Sequence, residues 1–357
     1  MTNPSDIVIS NKSAYLITSP SDITYLTGFS FSDPHTRESI VVADTDNFHI
    51  FIPAMFTNQI NQLKSNLTPH IDNQLLGLWQ LVTQLLIENN YDQIYYQPDH
   101  LTAAEYLKLS KNFKHQFKSK PNTVQTLRAQ KSPFEIKRIA QATQITEQII
   151  PHLTKLLSTN LSERQLAWQI KQLLHQAGAH HIAFQPIVAY GQNTANPHHL
   201  PTDKKLTQDT LILIDWAATY HNYHSDITRM WYRGTPTDLL VKHYQSLHQI
   251  HTQLLDNLKP DTPYAALHQQ TDQLLKQAGL PTMIHSLGHG VGLEIHEHPK
   301  INAKSDEQLL AYQTIALEPA FYISGTYGMR IEDLIYYDGN QTVRLTQSND
   351  QLQIIPA

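Results

Sequence analysis

The sequence predicts an α+β protein in which a small α/β N-terminal domain is followed by a larger, pseudo-symmetric domain. With 357 residues, the chain is long enough for about two domains of ordinary size. Its first third alternates strand-like and helix-like stretches, including SAYLITSP and IVVADTDNFHIFIPA. A stretch with two prolines and little apolar content follows near residues 120–134 and is typical of a linker. We therefore expect domains at residues 1–122 and 123–357.

The predicted pseudo-symmetry of the larger domain depends on a weak internal repeat. The sequence QLLHQAG at 172–178 recurs as QLLKQAG at 273–279, and each copy ends a predicted helix with glycine in the C′ position. The first helix is predicted to begin at a capping box with Ser162, and the second at Thr262. Two similar halves suggest a site between them. Chance is the alternative, because short matches of common helix formers arise easily.

Composition narrows the class of function. A formal charge of −5 offers no basic field for nucleic acid, so we expect no nucleic-acid partner. We expect no membrane segment either, because no apolar run approaches the length of a bilayer span. The first residues lack the pattern of a secretory signal, which favours a cytoplasmic location. Because the chain has no cysteine, any metal must be held by histidine and carboxylate groups.

Two predicted hairpins each bring two acids together. The apolar run LILI ends in Asp215, and after a polar turn the chain returns through Asp226, within a residue or two of the facing position. The run TIAL leads into Glu318, and a turn centred on Gly325 places Glu332 opposite it. Taken singly, each acid could be an ordinary turn or capping residue.

Acids that face each other on neighbouring strands repel, and burial adds a desolvation cost. Two divalent cations would balance four carboxylates, and a hydroxide between them would be the reactive species. Oxygen ligands with one imidazole favour Mn²⁺, with Co²⁺ or Zn²⁺ as alternatives.

Histidines and glycines are concentrated in HSLGHGVGLEIHEHP, which begins at His285 and contains four of the former and three of the latter. Glycine is costly inside a helix, so the stretch is predicted to be loop and strand. The glycines would let the backbone approach a ligand or metal; a phosphate cradle is a weaker alternative without a following lysine. At least one of His296 and His298 should face the metal site. His285 and His298 could also be supporting or surface residues.

Taken together, HSLGHGVGLEIHE, LILIDWAATYHNYHSDITR, LEPAFYISG and MRIED resemble the pita-bread metallopeptidases, the family of methionine aminopeptidase, prolidase, aminopeptidase P and creatinase. The resemblance covers roughly residues 128–337 and implies a pita-bread catalytic domain behind a creatinase-like N-terminal domain. It implies two divalent metal ions per chain. The family's metal ligands fall on Asp215, Asp226, His289, Glu318 and Glu332.

The resemblance also implies the catalytic roles. The segment FQPIVAYGQNTANPHH makes His198 the substrate-contacting histidine. His198 and His296 would stabilise the tetrahedral oxyanion or hold the substrate carboxylate. Glu318 would carry a proton to the leaving nitrogen, while His285 and Arg330 would orient the groups around it.

Within the family, the N-terminal domain argues against methionine aminopeptidase. The full ligand set argues against creatinase and against a non-catalytic peptide-binding relative. An Xaa-Pro dipeptidase (prolidase) is therefore expected, with an Xaa-Pro aminopeptidase acting on longer peptides as the alternative.

The stretch YLTGFSFSDPHTRESIVV resembles prolidases of Gram-positive bacteria and carries Asp33, His35 and Arg37. One hypothesis is that this loop reaches toward an active site, with that of the partner in a homodimer as one option, and limits the substrate to a dipeptide. An ordinary solvated turn is the alternative.

Overall fold

The computed structural model describes residues 3–8, 10, 12–33, 35–64, 66–113 and 115–356. The chain forms two compact units, Met1–Arg128 and Ala129–Ala357. The domain boundary predicted after residue 122 falls just before helix α4 (Thr123–Ala129), which occupies the predicted linker. This helix forms because Val124 is fully buried in a core cluster of the first unit.

The first unit contains one mixed sheet with helices, as expected for a small α/β domain. Its strands are β1 (Ser13–Ile17), β2 (Ile40–Ala43), β3 (Phe48–Pro53), β4 (Leu67–Asp72), β5 (Gln93–Tyr96) and β6 (Phe117–Ser119). Its other helices are α1 (Pro20–Thr27), α2 (Leu78–Asn89) and α3 (Ala103–Phe113). The strand order is β4-β3-β2-β1-β5-β6. Alternate residues of β1 enter two different apolar clusters, so both faces of the sheet are covered.

The loop with Asp33, His35 and Arg37 is held by contacts within this unit. The Asp33 carboxylate accepts the backbone N–H of His35 at 2.9 Å. Arg37 donates from Nε and Nη2 to the two carboxylate oxygens of Glu105 at 3.0 and 2.9 Å. Pro34 lies outside the described residues. These contacts fit an ordinary turn, and a role at a partner's active site stays a prediction.

The second unit repeats one plan: helix, strands, then a hairpin that returns to the sheet. Its helices are α5 (Pro133–Gln148), α6 (Ile150–Leu156), α7 (Glu163–Gln176), α8 (Asp238–Asn257) and α9 (Tyr264–Gln277). The strands that follow α7 are β7 (His181–Ile182), β8 (Ile187–Tyr190), β9 (Thr210–Asp215), β10 (Ala218–Tyr220), β11 (Tyr223–His224) and β12 (Thr228–Arg233). Those that follow α9 are β13 (Gly288–Gly290), β14 (Glu297–Ile301), β15 (Thr314–Leu317), β16 (Ala320–Ile323), β17 (Tyr327–Arg330), β18 (Asp333–Tyr337), β19 (Thr342–Arg344) and β20 (Gln353–Ile355).

Two main sheets form from these halves. The first has the order β20-β12-β9-β8 and the second the order β14-β13-β15-β18-β19. Hairpins β10–β11 and β16–β17 extend from them as short separate ladders. The expected arrangement of two similar halves is observed. None of the helices in the described ranges combines the length and the apolarity needed to cross a lipid bilayer.

Both copies of the repeat end their helices in the predicted way. Gly178 after α7 and Gly279 after α9 have positive φ angles of 101° and 74°. In each case the next residue's N–H bonds back to a carbonyl of the last helical turn, which is the Schellman arrangement.

The beginnings of these helices differ. Ser162 caps α7 through the predicted capping box. At α9 the N-cap is Pro263 instead of the predicted Thr262. The reason is that the Thr262 hydroxyl donates to the carbonyl oxygen of Lys259 at 2.5 Å and serves the preceding turn.

Replacing Gly178 with alanine isolates the cost of the left-handed backbone. No atom lies within 4 Å of an added Cβ, so only the backbone conformation should matter. We expect the free energy of unfolding to fall by roughly 1–2 kcal/mol, which scanning calorimetry would detect as a lower unfolding temperature. Gly279→Ala should behave alike, and Gln176→Ala in the same helix should have little effect. An unchanged unfolding temperature for both glycine variants would contradict the account.

Candidate active site

A cavity of about 280 Å³ in the second unit collects most of the residues singled out from the sequence. His198, His296 and Arg330 line it together with all five predicted ligands: Asp215, Asp226, His289, Glu318 and Glu332. His285 lies next to Glu318, with 3.9 Å between its Nδ1 and Glu318 Oε2.

The acids that line the cavity lie at or near the ends of strands from two sheets. Asp215 is the last residue of β9, and Asp226 lies between β11 and β12. Glu318 directly follows β15, and Glu332 directly precedes β18. His289 is the central residue of β13, the neighbour of β15. Each acid therefore lies where a regular ladder ends, which leaves its side chain free to turn into the cavity.

The first hairpin has the register expected from its sequence. Thr228 faces Asp215, so Asp226 is two residues from the facing position. The turn falls at His221 and Asn222, which have positive φ angles of 47° and 68°. Such angles at both central positions are typical of the tight turn that suits twisted antiparallel strands.

The second hairpin also has the predicted register. β15 pairs with β18 on one side of the acids, and β16 pairs with β17 on the other side, in a single continuous register. Glu318 and Glu332 therefore occupy facing positions. The turn contains Gly325 at a φ of 72°.

Thr228 joins the two hairpins. Its hydroxyl donates to Glu332 Oε2 at 2.7 Å and accepts from Arg330 Nε at 3.0 Å. An isolated antiparallel bridge also pairs Thr228 with Glu332. This one residue faces Asp215 on one strand and holds Glu332 from the other hairpin, so the two pairs of acids converge.

The four carboxyl groups carry more negative charge than their neighbours balance. Within the described part of the chain, Oδ1 of Asp215 and Oδ1 of Asp226 are buried and accept no hydrogen bond. Burial raises the pKa of Asp215 to about 7; Glu332 adds to the shift and Arg330 opposes it. Burial and the charge of Glu332 also raise the pKa of Asp226 and of Glu318 well above their usual values. Bare acceptor oxygens among mutually repelling acids fit a cation site.

His289 completes this candidate metal site. Burial lowers its pKa to about 4, so its ring is neutral at neutral pH. Nδ1 lies 3.2 Å from the carbonyl oxygen of Gly290, which assigns the proton to that nitrogen. Nε2 therefore presents a lone pair, 3.7 Å from Asp226 Oδ2 and 3.8 Å from Glu318 Oε1. The donor set of oxygens and one imidazole nitrogen fits a divalent metal ion.

The other histidines of the motif separate into two groups. His296 lines the cavity and packs edge-to-face on His289, with 4.3 Å between ring centroids. His298 instead pairs with Glu307 at 3.0 Å. His296 ends the loop before β14, and the ladder between β13 and β14 shifts register, so strict alternation of side chains does not apply.

Arg330 and His285 contact the acids but are not among the predicted metal ligands. Arg330 is almost fully buried and donates from Nη2 to Asp215 Oδ2 at 2.6 Å. The Tyr322 hydroxyl lies 3.1 Å from Arg330 Nη1 and 3.0 Å from His285 Nε2. All three guanidinium nitrogens of Arg330 therefore have protein partners.

The glycines of the motif serve packing between strands. A Cβ on Gly288 would collide with the carbonyl oxygen of Ala316, and one on Gly290 with that of His298. The expected approach of this backbone to a ligand or metal stays a prediction, and packing between strands already requires both glycines. They let β13 lie close to its two neighbouring strands, and that closeness places His289.

Sequence reasoning missed a second charged cluster next to the acids. Asp333 accepts from Arg229 Nη2 at 2.7 Å and lies 2.6 Å from Arg344 and 3.1 Å from His251. Although burial opposes ionisation, Arg229 and the other neighbours hold the pKa of Asp333 well below its usual range. Arg229 also donates from Nη1 to the carbonyl oxygen of Glu332 at 2.7 Å. The guanidinium groups of Arg229 and Arg344 offset the negative charge of Asp333. These residues are far apart in sequence, and no local motif indicates that they pair.

An apolar wall of the cavity was also missed. It consists of side chains from the loop before β8, the first residue of β8, the segment after His198 and the loop before β14: Phe184, Ile187, Leu200 and Ile295. Isolated apolar residues in loops give no sequence signal for a binding wall.

Comparison with known proteins agrees with this geometry. Residues 137–338 match metallopeptidase family M24, and residues 10–130 match the creatinase/prolidase N-terminal domain. An uncharacterized peptidase of Staphylococcus epidermidis is 29% identical over 338 residues, 93% of each chain. The Xaa-Pro dipeptidase from Bacillus anthracis superposes with a TM-score of 0.90 at 25% identity, over 96% of this chain and 94% of that one. X-Pro aminopeptidase from Thermotoga maritima has a TM-score of 0.86 at 24% identity, over 97% and 99%, and shows the shared fold alone.

The M24 match spans more than half of the chain and contains every residue predicted to bind metal. Together with the N-terminal match, it confirms the expected creatinase-like N-terminal domain and pita-bread catalytic domain. The chain belongs to metallopeptidase family M24.

Proposed function

We propose that this M24 peptidase is a dinuclear metal-dependent Xaa-Pro dipeptidase, a prolidase that hydrolyses the bond before proline. The observation that carries the proposal is the cluster of three buried acids (Asp215, Asp226 and Glu332), half-buried Glu318 and His289 around one cavity, with bare oxygens on Asp215 and Asp226. The likeness to the Bacillus anthracis Xaa-Pro dipeptidase supports the substrate class. A cytoplasmic homodimer stays a prediction from the sequence.

Five side chains would hold the two ions, and the oxygen-rich set favours Mn²⁺, with Co²⁺ or Zn²⁺ as alternatives. They are Asp215, Asp226, His289, Glu318 and Glu332. When bound, the ions supply positive charge that polarises the scissile carbonyl and lowers the pKa of water.

Glu318 would carry the proton. Its carboxylate lines the cavity together with the other predicted ligands and with His198 and His296. A carboxylate in this position can take a proton from water and deliver it to the prolyl nitrogen as the bond breaks. His285 Nδ1 and Arg330 Nε each lie 3.9 Å from Glu318 Oε2 and keep it in place.

His198 and His296 would bind the substrate. Both line the cavity, and burial lowers the pKa of His296 to about 4, so its ring is neutral at neutral pH. A neutral imidazole N–H can donate to the oxyanion of the tetrahedral state or to a substrate carboxylate. The apolar wall would accept the ring of proline or the side chain before it.

The substrate class and the metal requirement can be tested together. Chelation should abolish proline release from Leu-Pro, and Mn²⁺, Co²⁺ or Zn²⁺ added back singly should restore it, as followed by amino-acid analysis. Leu-Pro-Pro should be cut poorly. Preference for the tripeptide would make the protein an Xaa-Pro aminopeptidase. Binding of two ions without cleavage of either peptide would contradict the substrate class but keep the metal site.

Glu318→Gln tests the proton carrier. We expect kcat for Leu-Pro to fall by about 10²–10⁴-fold at saturating metal, because the amide cannot carry the proton. Bound metal should be measured in parallel. Glu307→Gln is the matched control, since Glu307 pairs with His298 outside the cavity. An activity within twofold of wild type would remove Glu318 from this role.

Asp226→Asn tests the repulsion among the acids. Because folding raises the pKa of Asp226 above 3.8, the metal-free wild type loses stability as the pH rises through that raised pKa. Asparagine does not ionise, so the metal-free variant should unfold at a higher temperature than wild type at pH 8. The difference in unfolding temperature should shrink towards pH 4. The buried histidines are present in both proteins, so their effect on this difference largely cancels.

Added Mn²⁺ should reverse the order, because wild type has the additional ligand. A variant that is less stable than wild type at pH 8 without metal would contradict the account.

A further inference from the structure

A buried carboxylate outside the cavity, Glu163, holds the chain segment that carries His198. Glu163 is the first residue of α7, and its side chain has no exposed surface. It is neither a predicted metal ligand nor a residue of the cavity lining. Burial of a carboxylate is costly unless its oxygens accept hydrogen bonds, so its partners show what it holds in place.

Among the residues that the structure describes, Glu163 accepts five hydrogen bonds, all from residues 190–202. Oε1 accepts from the backbone N–H of Tyr190 and from Asn193 Nδ2, both at 2.8 Å. Oε2 accepts from His199 Nε2 at 2.8 Å and from the N–H and hydroxyl of Thr202 at 2.9 and 2.6 Å. One carboxylate therefore ties together the beginning, the middle and the end of this segment.

These contacts require the ionised form of Glu163. An ionised carboxylate only accepts hydrogen bonds, and all five partners can donate. Burial opposes ionisation, but the hydrogen bonds from Thr202, His199 and Asn193 outweigh it and lower the pKa of Glu163. Its place in the first turn of a 14-residue helix favours negative charge as well.

The other side of the same segment forms part of the cavity. His198, His199 and Leu200 line it, and the Pro197 carbonyl oxygen accepts from Arg330 Nη1 at 3.2 Å. The segment is thus anchored by Glu163 on one side and by Arg330 on the other. The His199 ring is fixed by Glu163, and His199 directly follows His198, so the position of His198 depends on the carboxylate.

We propose that Glu163 is a positioning residue for substrate binding, which acts by setting the place of His198 against the bound peptide. The proposal rests on the proposed function, because that function assigns His198 to the substrate. It requires that the effect of Glu163 on catalysis run through His198.

A double-mutant cycle tests this requirement. Glu163→Gln keeps the shape but replaces one acceptor oxygen by an NH₂ group that faces donors. In the Mn²⁺-loaded enzyme, we expect Glu163→Gln and His198→Ala each to lower kcat/KM for Leu-Pro by about tenfold or more. The double variant should lie within about twofold of His198→Ala alone, since residues that act as a unit are not additive.

Hydrogen–deuterium exchange of the metal-free protein gives a readout independent of activity. Glu163→Gln should speed exchange in peptides that cover 190–202 and leave unchanged the peptides that contain Asp215, His289 and Glu318. Asp203→Asn is the matched control: it removes a carboxylate just past the same segment, from an exposed pair with Arg164. It should change neither exchange nor kinetics.

Several outcomes would overturn the proposal. These are an unchanged kcat/KM for Glu163→Gln, an equal loss with and without His198, or unchanged exchange at 190–202. If Glu163→Gln does not fold, Thr202→Val, which removes one of the five donors, takes its place in both measurements. If wild type cleaves no Xaa-Pro peptide with any metal, the proposed function fails, and exchange alone decides whether Glu163 holds the segment.

Discussion

Four carboxyl groups, three of them buried, line one cavity and repel each other, and the surrounding structure has to hold them together against that repulsion. Two features do so. The ladders on either side of each acid fix the backbone, and the Thr228–Glu332 bridge joins the hairpins. Arg330 offsets part of the negative charge through Asp215. Because rigid strands hold this unbalanced negative charge in place, the site is preorganised for binding cations.

Adjacent residues of one strand region show how strongly the surroundings decide ionisation. Burial raises the pKa of Glu332, whereas Arg229 and its neighbours lower that of Asp333. Both side chains are buried, so the difference comes from the cations nearby. The balanced cluster of Asp333 serves as a fixed support, and the unbalanced cluster of Glu332 keeps its affinity for positive charge.

The sequence predicted those parts of the site that depend on local spacing. Strand runs, turn residues and the distance between acids determine hairpin register, so Glu318 and Glu332 were expected to face each other and do. It did not predict contacts that depend on tertiary packing. Helix α4 in the presumed linker forms because Val124 finds a core. The partners of Asp333 and of Glu163 come from distant segments, which no short motif brings together.

The segment after β18 provides further contacts to Asp333 and Arg229, which lie beside the site. Thr346 donates to Asp333 at 2.6 Å, and Arg229 donates to the Ser348 hydroxyl at 3.0 Å. β20 then adds a parallel strand beside β12. All five proposed ligands precede this segment in the sequence. A chain that ended before residue 346 would contain every proposed ligand but would lack these contacts of Asp333 and Arg229, the residues that flank Glu332 in sequence and in space.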